Sequence, residues 1–122
     1  MTDRPVAVLI GPPGAGKSTV GPLLAALLGA EFAETDQLVE AAAGKPVSDI
    51  FVADGEPAFR DLERAAVARA LAEHPGIVAL GGGAVLDPLT RERLARHRVV
   101  YLQTGFAAAV RRVGLDSLVI SS

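Results

Sequence analysis

Among the unbroken apolar runs of this chain, three are typical of strands, and a mixed segment falls between the first two of them. These three runs occupy residues 6–10, 77–80 and 99–102, and the mixed segment occupies residues 30–33. A short continuous apolar run is typical of a strand that is buried on both faces of a parallel sheet. We therefore predict four strands, with residues 6–10 at the centre of the sheet.

Between these segments, apolar residues recur at the spacing of an α-helix. The first stripe, which ends at Gly29, comprises Val20, Leu23, Leu24, Leu27 and Leu28. Further helices are predicted over residues 37–43, 46–51, 57–73, 87–97 and 106–113. Thr35 or Asp36 is expected to cap the helix over residues 37–43.

Strands that alternate with helices predict an α/β fold with three layers, in which helices cover both faces of a parallel sheet. Crossovers in such a sheet are right-handed, and the carboxyl ends of all strands lie along one edge. A length of 122 residues predicts a single domain over residues 1–122. Any functional groups that follow the strands should therefore meet at that edge.

Composition narrows the functional classes. Half of the residues are apolar, and the 12 basic and 14 acidic residues are scattered along the chain, which argues against a nucleic-acid-binding surface. The absence of cysteine excludes disulfides and thiolate metal sites within the chain. No signal pattern and no apolar run of membrane-spanning length is present, so we expect a cytoplasmic protein without a membrane partner.

Residues 11–18 read Gly-Pro-Pro-Gly-Ala-Gly-Lys-Ser and fit the phosphate-loop pattern G-x-x-x-x-G-K-[ST]. The match lies between a predicted strand and a predicted helix, as a phosphate loop requires. Glycine lets the backbone N–H groups approach a ligand closely, and the helix N-terminus adds further donors and positive potential. The predicted nucleotide-binding residues are Gly14, Ala15, Gly16, Lys17, Ser18 and Thr19.

Three side chains of this loop have separate predicted roles. Lys17 would bridge the β- and γ-phosphates as a catalytic cation, and the Ser18 hydroxyl would bind Mg²⁺. Thr19 can reach an α-phosphate oxygen from the first turn of the helix. The alternative is an ordinary glycine and proline turn with a solvated lysine.

Two carboxylates lie at the end of the second predicted strand, on the edge where open α/β sheets bind ligands. Asp36 is either a helix cap or a catalytic group that orients an attacking hydroxyl and accepts its proton. Glu34 either holds Mg²⁺ through water or is an ordinary residue at the end of the strand.

Arg60 has the planar guanidinium best suited to bind a carboxylate through two hydrogen bonds, although for a surface arginine a pair with Glu63 is the simpler explanation. Three consecutive glycines directly follow a predicted buried strand, namely Gly81, Gly82 and Gly83. They suggest a close approach of the backbone to a ligand, or else a flexible turn.

Two histidines, His74 and His97, lie at predicted helix ends and are expected to be solvated or to cap those ends. Arg111 and Arg112 are either surface charges or, for one of them, a partner for a nucleotide base.

Taken together, these motifs resemble shikimate kinase, a phosphate-loop NTPase of the nucleoside monophosphate kinase type. The resemblance covers about residues 6–114 and is carried by motifs in a fixed order. They are the phosphate loop with Ser18-Thr19, then Thr35-Asp36, Ile50-Phe51, Asp54-Gly55-Glu56, Phe59-Arg60 with Glu63, and Gly81-Gly82-Gly83-Ala84-Val85.

The resemblance implies transfer of the γ-phosphate of ATP to the 3-hydroxyl of shikimate, with Mg²⁺. It assigns Asp36 to the shikimate hydroxyls as the base, and Arg60 with Gly81, Gly82 and Gly83 to holding shikimate, whose carboxylate Arg60 binds. It also implies that Phe51 and Phe59 line the pocket, that Glu63 orients Arg60, and that Arg112 packs on adenine.

The sequence departs from the family pattern at two places. Glu34 stands where the family usually has aspartate, and residues 115–122 form an atypical tail in which the lid arginine, the second substrate arginine and the last strand have no counterpart. We therefore expect low activity. We also expect a monomer, with association through an uncovered sheet edge as the alternative.

Two functions remain as alternatives to that of a shikimate kinase: a non-catalytic ATP-binding module and a gluconate-type kinase. Phe59-Arg60 together with residues 81–83 argue against the gluconate-type kinase.

Overall fold

Strands and helices alternate in the computed structural model, which describes residues 5–12 and 14–103. The elements in chain order are β1 (Ala7–Ile10), α1 (Lys17–Leu28), β2 (Phe32–Glu34), α2 (Thr35–Ala43), α3 (Val47–Asp54), α4 (Glu56–Glu73), β3 (Ile77–Ala79), a 3₁₀ turn (Ala84–Leu86), α5 (Pro88–Leu94) and β4 (Val99–Tyr101). The predicted helix over residues 106–113 and the tail at 115–122 lie outside the described residues.

The four strands form one parallel sheet in the order β2-β3-β1-β4. The strand β1 is central, as predicted, because Leu9 pairs with Ala79 on one side and with Val100 on the other. All strands point the same way, so the phosphate loop after β1, Asp36 after β2 and the glycines after β3 lie at one edge. Among the described helices, none is long and apolar enough to cross a bilayer.

Alternate residues of β1 face opposite layers of helix, as the pleat of a strand requires. Leu9 packs with Val20 of α1 on one face, whereas Val8 packs with Val67 and Leu71 of α4 on the other. A third apolar cluster joins α2, α3 and α4 through Val39, Ile50 and Phe59. The predicted three-layer α/β fold is therefore confirmed.

The buried stripe of α1 differs from the prediction. Val20 and Leu24 are buried together with Gly21 and Ala25, whereas three predicted members of the stripe are exposed, namely Leu23, Leu27 and Leu28. The reason lies at Gly21, where any side chain would collide with the ring of Phe32. Glycine and alanine thus allow α1 to approach the sheet closely, which a count of large apolar residues does not reveal.

Several predicted boundaries move by a few residues. The strand β2 begins at Phe32 instead of at residue 30, and α2 follows it directly from Thr35. The prediction that Thr35 or Asp36 caps this helix is therefore wrong: Glu34 occupies the cap position, and its side chain makes no capping hydrogen bond. Helix α3 extends to Asp54, α5 ends at Leu94, and the 3₁₀ turn after the glycines was not predicted.

Candidate active site

A cleft of about 490 Å³ opens at the carboxyl edge of the sheet, between the phosphate loop, the end of β2 and the residues after β3. Its lining consists of Gly14, Gly16, Lys17, Ser18, Thr19, Glu34, Asp36, Ala79, Leu80, Gly81 and Gly82. Most of the predicted site residues are in this set. A larger apolar groove of about 680 Å³ lies between α2 and α4, but it contains none of them.

The phosphate loop has the backbone conformation that its glycines were expected to allow. Gly14 and Gly16 have φ values of +82° and +104°, in the region that residues with a side chain rarely adopt. Gly16 also occupies the cap position of α1, where no side chain of the described residues caps the helix, so the helix N-terminus opens towards the cleft. Ala15, which was also predicted to bind the nucleotide, is fully buried in the core and is not among the residues that line the cleft.

Lys17 is folded back onto the loop. Its Nζ donates hydrogen bonds to the carbonyl oxygens of Gly11 at 2.6 Å and Pro12 at 3.1 Å. Burial lowers the pKa of Lys17, although the negative charges of Asp36 and Glu34 oppose that shift. The lysine therefore contributes positive charge to the cleft while its hydrogen bonds are satisfied by the loop itself.

The Ser18 hydroxyl donates a hydrogen bond to Oε1 of Glu34. This contact connects the first turn of α1 with the end of β2, and it places two hard oxygen donors side by side. A hydroxyl and a carboxylate suit Mg²⁺, which is usually bound by one or two protein oxygens together with phosphates and waters. In the described part of the chain, the cleft included, no group of three or more His, Cys, Asp or Glu residues could hold a metal ion by itself.

Asp36 lies in the first turn of α2 and faces the glycines after β3. A Cβ atom at Gly81 would be only 2.5 Å from Oδ1 of Asp36, so glycine is needed there for the carboxylate to fit. Burial raises the pKa of Asp36, the charges of Glu34 and Glu40 raise it further, and those of Lys17 and Arg60 act in the opposite direction. A carboxylate with raised proton affinity is suited to accept a proton.

Thr35 is a fully buried residue whose contribution the sequence did not indicate. Its Oγ1 accepts a hydrogen bond of 3.0 Å from the N–H of Gly81. This bond fixes the first glycine beside Asp36. In the sequence, Thr35 stands directly before Asp36, and that position predicts a helix cap instead of this bond.

Arg60 is held by two carboxylates of its own helix. Its Nη1 lies 2.8 Å from Oε1 of Glu63, whose side chain is 5% exposed, and its Nη2 lies 3.4 Å from Oε2 of Glu56, which is 62% exposed. Burial raises the pKa of Glu63, and the hydrogen bond from Arg60 counteracts the shift. The Arg60–Glu63 contact is therefore not a simple surface pair, because one partner is buried.

The guanidinium of Arg60 also lies against the glycine segment and an aromatic ring. A Cβ atom at Gly83 would be 2.7 Å from Nη1 of Arg60, and the Phe59 ring centroid lies 5.2 Å from Cζ. Two of the three consecutive glycines are thus explained within the protein itself, by the side chains of Asp36 and Arg60. A ligand need not be invoked for those two positions.

Some predicted site residues lie away from the cleft lining. Phe59 is buried, and Phe51 packs on it with ring centroids 4.8 Å apart, beside the third core cluster. His74 accepts a hydrogen bond from the N–H of Gly76 at the end of α4 and is remote from the cleft lining. Arg111 and Arg112 lie outside the described residues.

Comparison with known proteins agrees with this geometry. A sequence model of the shikimate kinase family matches residues 13–118. A shikimate kinase from Thermobifida fusca (strain YX) is 64% identical over 117 residues, which are 96% of this chain and 68% of that protein. A shikimate kinase from Salinispora arenicola (strain CNS-205) is 61% identical over 113 residues, or 93% of this chain and 68% of that protein.

Solved structures give the same result. The structure of shikimate kinase from Acinetobacter baumannii in complex with shikimate matches with a TM-score of 0.78 and 36% identity, over 93% of this chain and 65% of that one. This chain spans about two thirds of the length of the proteins that it matches. On the extent of the family match and the level of identity, the chain belongs to the shikimate kinase family.

Proposed function

We propose that this chain binds ATP and shikimate at the carboxyl edge of the sheet, for transfer of the γ-phosphate to the 3-hydroxyl of shikimate. The observation that carries the proposal is the convergence of Asp36 and Arg60 on residues 81–83, next to a phosphate loop. Membership of the shikimate kinase family supports it, as does the relative from Acinetobacter baumannii that was solved with shikimate.

Residues 11–19 form the nucleotide half of the site, which would bind phosphate mainly through its backbone. The backbone at the N-terminus of α1, from Gly16 to Ser18, lines the cleft, and its N–H groups would bind the phosphates. Thr19 would contact the α-phosphate. Lys17 would exchange its bonds to the carbonyls of Gly11 and Pro12 for the β- and γ-phosphates. It would then neutralise the charge that develops on the transferred group. Arg112 remains our proposed partner for the adenine ring.

Ser18 and Glu34 would hold Mg²⁺ in this arrangement, because their oxygens already lie together in the cleft. Glu34, which is longer than the aspartate usual in the family, would contact the ion through water. The ion supplies charge neutralisation on the phosphates of bound ATP.

Asp36, Arg60 and residues 81–83 form the acceptor half of the site, which would select a hydroxylated carboxylate. Arg60 would bind the carboxylate of shikimate, while Glu63 and Glu56 hold the guanidinium in place. Phe51 and Phe59 would support this side of the pocket. Asp36 would orient the reacting hydroxyl and accept its proton, a role that its raised pKa favours. We place this reaction in the cytoplasm and propose a monomer.

Calorimetry with each ligand separately tests the proposal. We expect the chain to bind both ATP with Mg²⁺ and shikimate, and Arg60→Ala to lower the affinity for shikimate by about 10²-fold or more while ATP affinity is unchanged. Arg69→Ala is the matched control, because Arg69 lies on the same helix and its side chain is 80% exposed.

Three results would contradict the proposal. Binding of ATP without shikimate would indicate a nucleotide-binding module. Binding of gluconate in place of shikimate would indicate a different small-molecule kinase. An equal loss of shikimate affinity in Arg60→Ala and Arg69→Ala would show that Arg60 does not contact the acceptor. An ADP-release assay with shikimate then measures the transfer itself.

A further inference from the structure

Arg64 lies one helical turn after Arg60 on α4 and forms an ion pair that leaves the helix. Its Nε is 2.6 Å from Oδ2 of Asp87, a residue 23 positions further along the chain. The side chain of Asp87 is 15% exposed, so the pair is partly shielded from solvent. Most other ion pairs of α4 join residues three or four positions apart within the helix, and they include a second pair of Arg64, from Nη1 to Oδ1 of Asp61 at 2.9 Å.

The other carboxylate oxygen of Asp87 accepts hydrogen bonds from the start of α5. Oδ1 accepts hydrogen bonds from the N–H groups of Leu89 at 2.8 Å and Thr90 at 3.4 Å, so the same carboxylate caps α5. Asp87 therefore ties the N-terminus of α5 to α4. The two roles are separable, because asparagine can keep the cap without the negative charge.

The glycine segment is connected to Asp87 by a short and well-bonded turn. The N–H groups of Ala84, Leu86 and Asp87 donate to the carbonyl oxygens of Gly81, Gly83 and Ala84 at 3.0–3.2 Å. A displacement of Asp87 would therefore move residues 81–83. At the other end, the bond from the Gly81 N–H to Thr35 holds the segment to α2.

The distance between α4 and this segment matters because the Arg60 guanidinium lies directly against Gly83. The guanidinium fits against Gly83 only because Gly83 lacks a Cβ atom. If the segment moved relative to α4, Arg60 would lose its position against Gly83.

We propose that Arg64 and Asp87 form a positioning pair that fixes residues 81–83 against α4, at the separation that Arg60 needs to bind the acceptor carboxylate. Neither side chain contacts the acceptor in this role. The inference deepens the proposed function and rests on it for the identity of the acceptor.

Amide hydrogen exchange of the ligand-free chain tests the pair directly. Arg64→Met keeps the length of the side chain and removes its charge, and Asp87→Asn keeps the helix cap. In either variant we expect exchange at residues 81–90 to become about fivefold faster, the size expected when one partly buried pair is lost. The double variant should exchange no faster than the single ones. Arg69→Met, which breaks an exposed pair with Glu73 on the same helix, should leave these amides unchanged.

Steady-state kinetics and calorimetry supply the second readout. The KM or Kd for shikimate should rise about fivefold in Arg64→Met and Asp87→Asn, while the values for ATP stay within about twofold. Unchanged exchange at residues 81–90 would overturn the pair. An equal rise in exchange throughout β1 would also overturn it, because it would show only a general loss of stability. Failure of the unmodified chain to bind shikimate would count against the proposed function, and the exchange result would still decide on the pair.

Discussion

The two halves of the candidate site are built in different ways, and the acceptor half extends past the cleft lining to Arg60 and Gly83. The nucleotide half comes from one continuous segment, residues 11–19, whose glycines set the backbone and whose helix supplies the N-terminus. The acceptor half combines Asp36 from α2, Arg60 from α4 and the glycines after β3, which are far apart in the sequence. Backbone conformation therefore determines the first half, whereas contacts between side chains determine the second.

This difference predicts how each half responds to mutation. A backbone site depends on glycine and on local hydrogen bonds, so changes elsewhere should affect it little. A site held by pairs such as Arg60–Glu63 depends on residues that never touch the ligand. The acceptor half should therefore be sensitive to more positions than the nucleotide half, and substitutions can separate the two.

The largest effect should come from Lys17→Met, which removes the side-chain cation of the phosphate loop. Loss of a preorganised charge at the transferred phosphate should reduce turnover by about 10²–10³-fold. Shikimate affinity should stay within about twofold, because Lys17 bonds only to the loop carbonyls in this structure. An ADP-release assay and calorimetry measure the two quantities. Lys45→Met, which removes a lysine paired with Asp54 at the surface, is the control. A comparable fall in shikimate affinity would show that the two halves are not separable.

A smaller effect is expected from Glu63→Gln, which weakens the buried partner of Arg60. The guanidinium would keep only one charged partner, the more distant Glu56, so shikimate affinity should fall about tenfold while ATP affinity is retained. Glu56→Gln is a matched control of the same type on the same helix. Its contact is 3.4 Å and exposed, so its effect should be less than about twofold. Equal effects of the two substitutions in calorimetry would disprove the importance of burial here.

Gly83→Ala should act more weakly and without loss of stability. The φ of Gly83 is −91°, so alanine is free of backbone strain there, but its Cβ would displace the flexible end of Arg60. We expect shikimate affinity to fall about fivefold and the melting temperature to change by less than about 2 °C. Calorimetry and thermal unfolding measure these values. Unchanged affinity would mean that the position of Arg60 against the glycine segment is unimportant for binding.

The same contrast explains what the sequence could predict. The strands and the phosphate loop were found because each is encoded by neighbouring residues: an unbroken apolar run such as residues 6–10, or a glycine pattern followed by a helix. The central place of β1 and the meeting of Asp36 with the glycines at one edge follow from parallel topology alone.

The remaining features depend on residues that are distant in the sequence. The hydrogen bond from Gly81 to Thr35 spans 46 positions, and the pair of Arg64 with Asp87 spans 23. No local pattern shows that Asp36 and Arg60 themselves require the glycines, or that Gly21 brings α1 against Phe32. Long-range packing also placed Thr35 inside α2 instead of at its cap.

The smallest predicted effect concerns Asp36, which belongs to the acceptor half and whose pKa is influenced both by Lys17 of the nucleotide half and by Arg60 of its own half. Its pKa is raised in the folded chain, so the folded state binds a proton more readily than the unfolded state does. This group therefore lowers stability as the pH rises from the ordinary aspartate pKa towards the raised value. Asp36→Asn removes that penalty, so its melting temperature should exceed that of the unmodified chain by about 1–3 °C near pH 7 and by less near pH 4.

Asp49→Asn, which removes an exposed carboxylate in the first turn of α3, is the control for a helix-terminal charge. If Asp36→Asn instead lowers the melting temperature at neutral pH, the carboxylate is a net stabilising link between the halves, and the cleft is one cooperative unit.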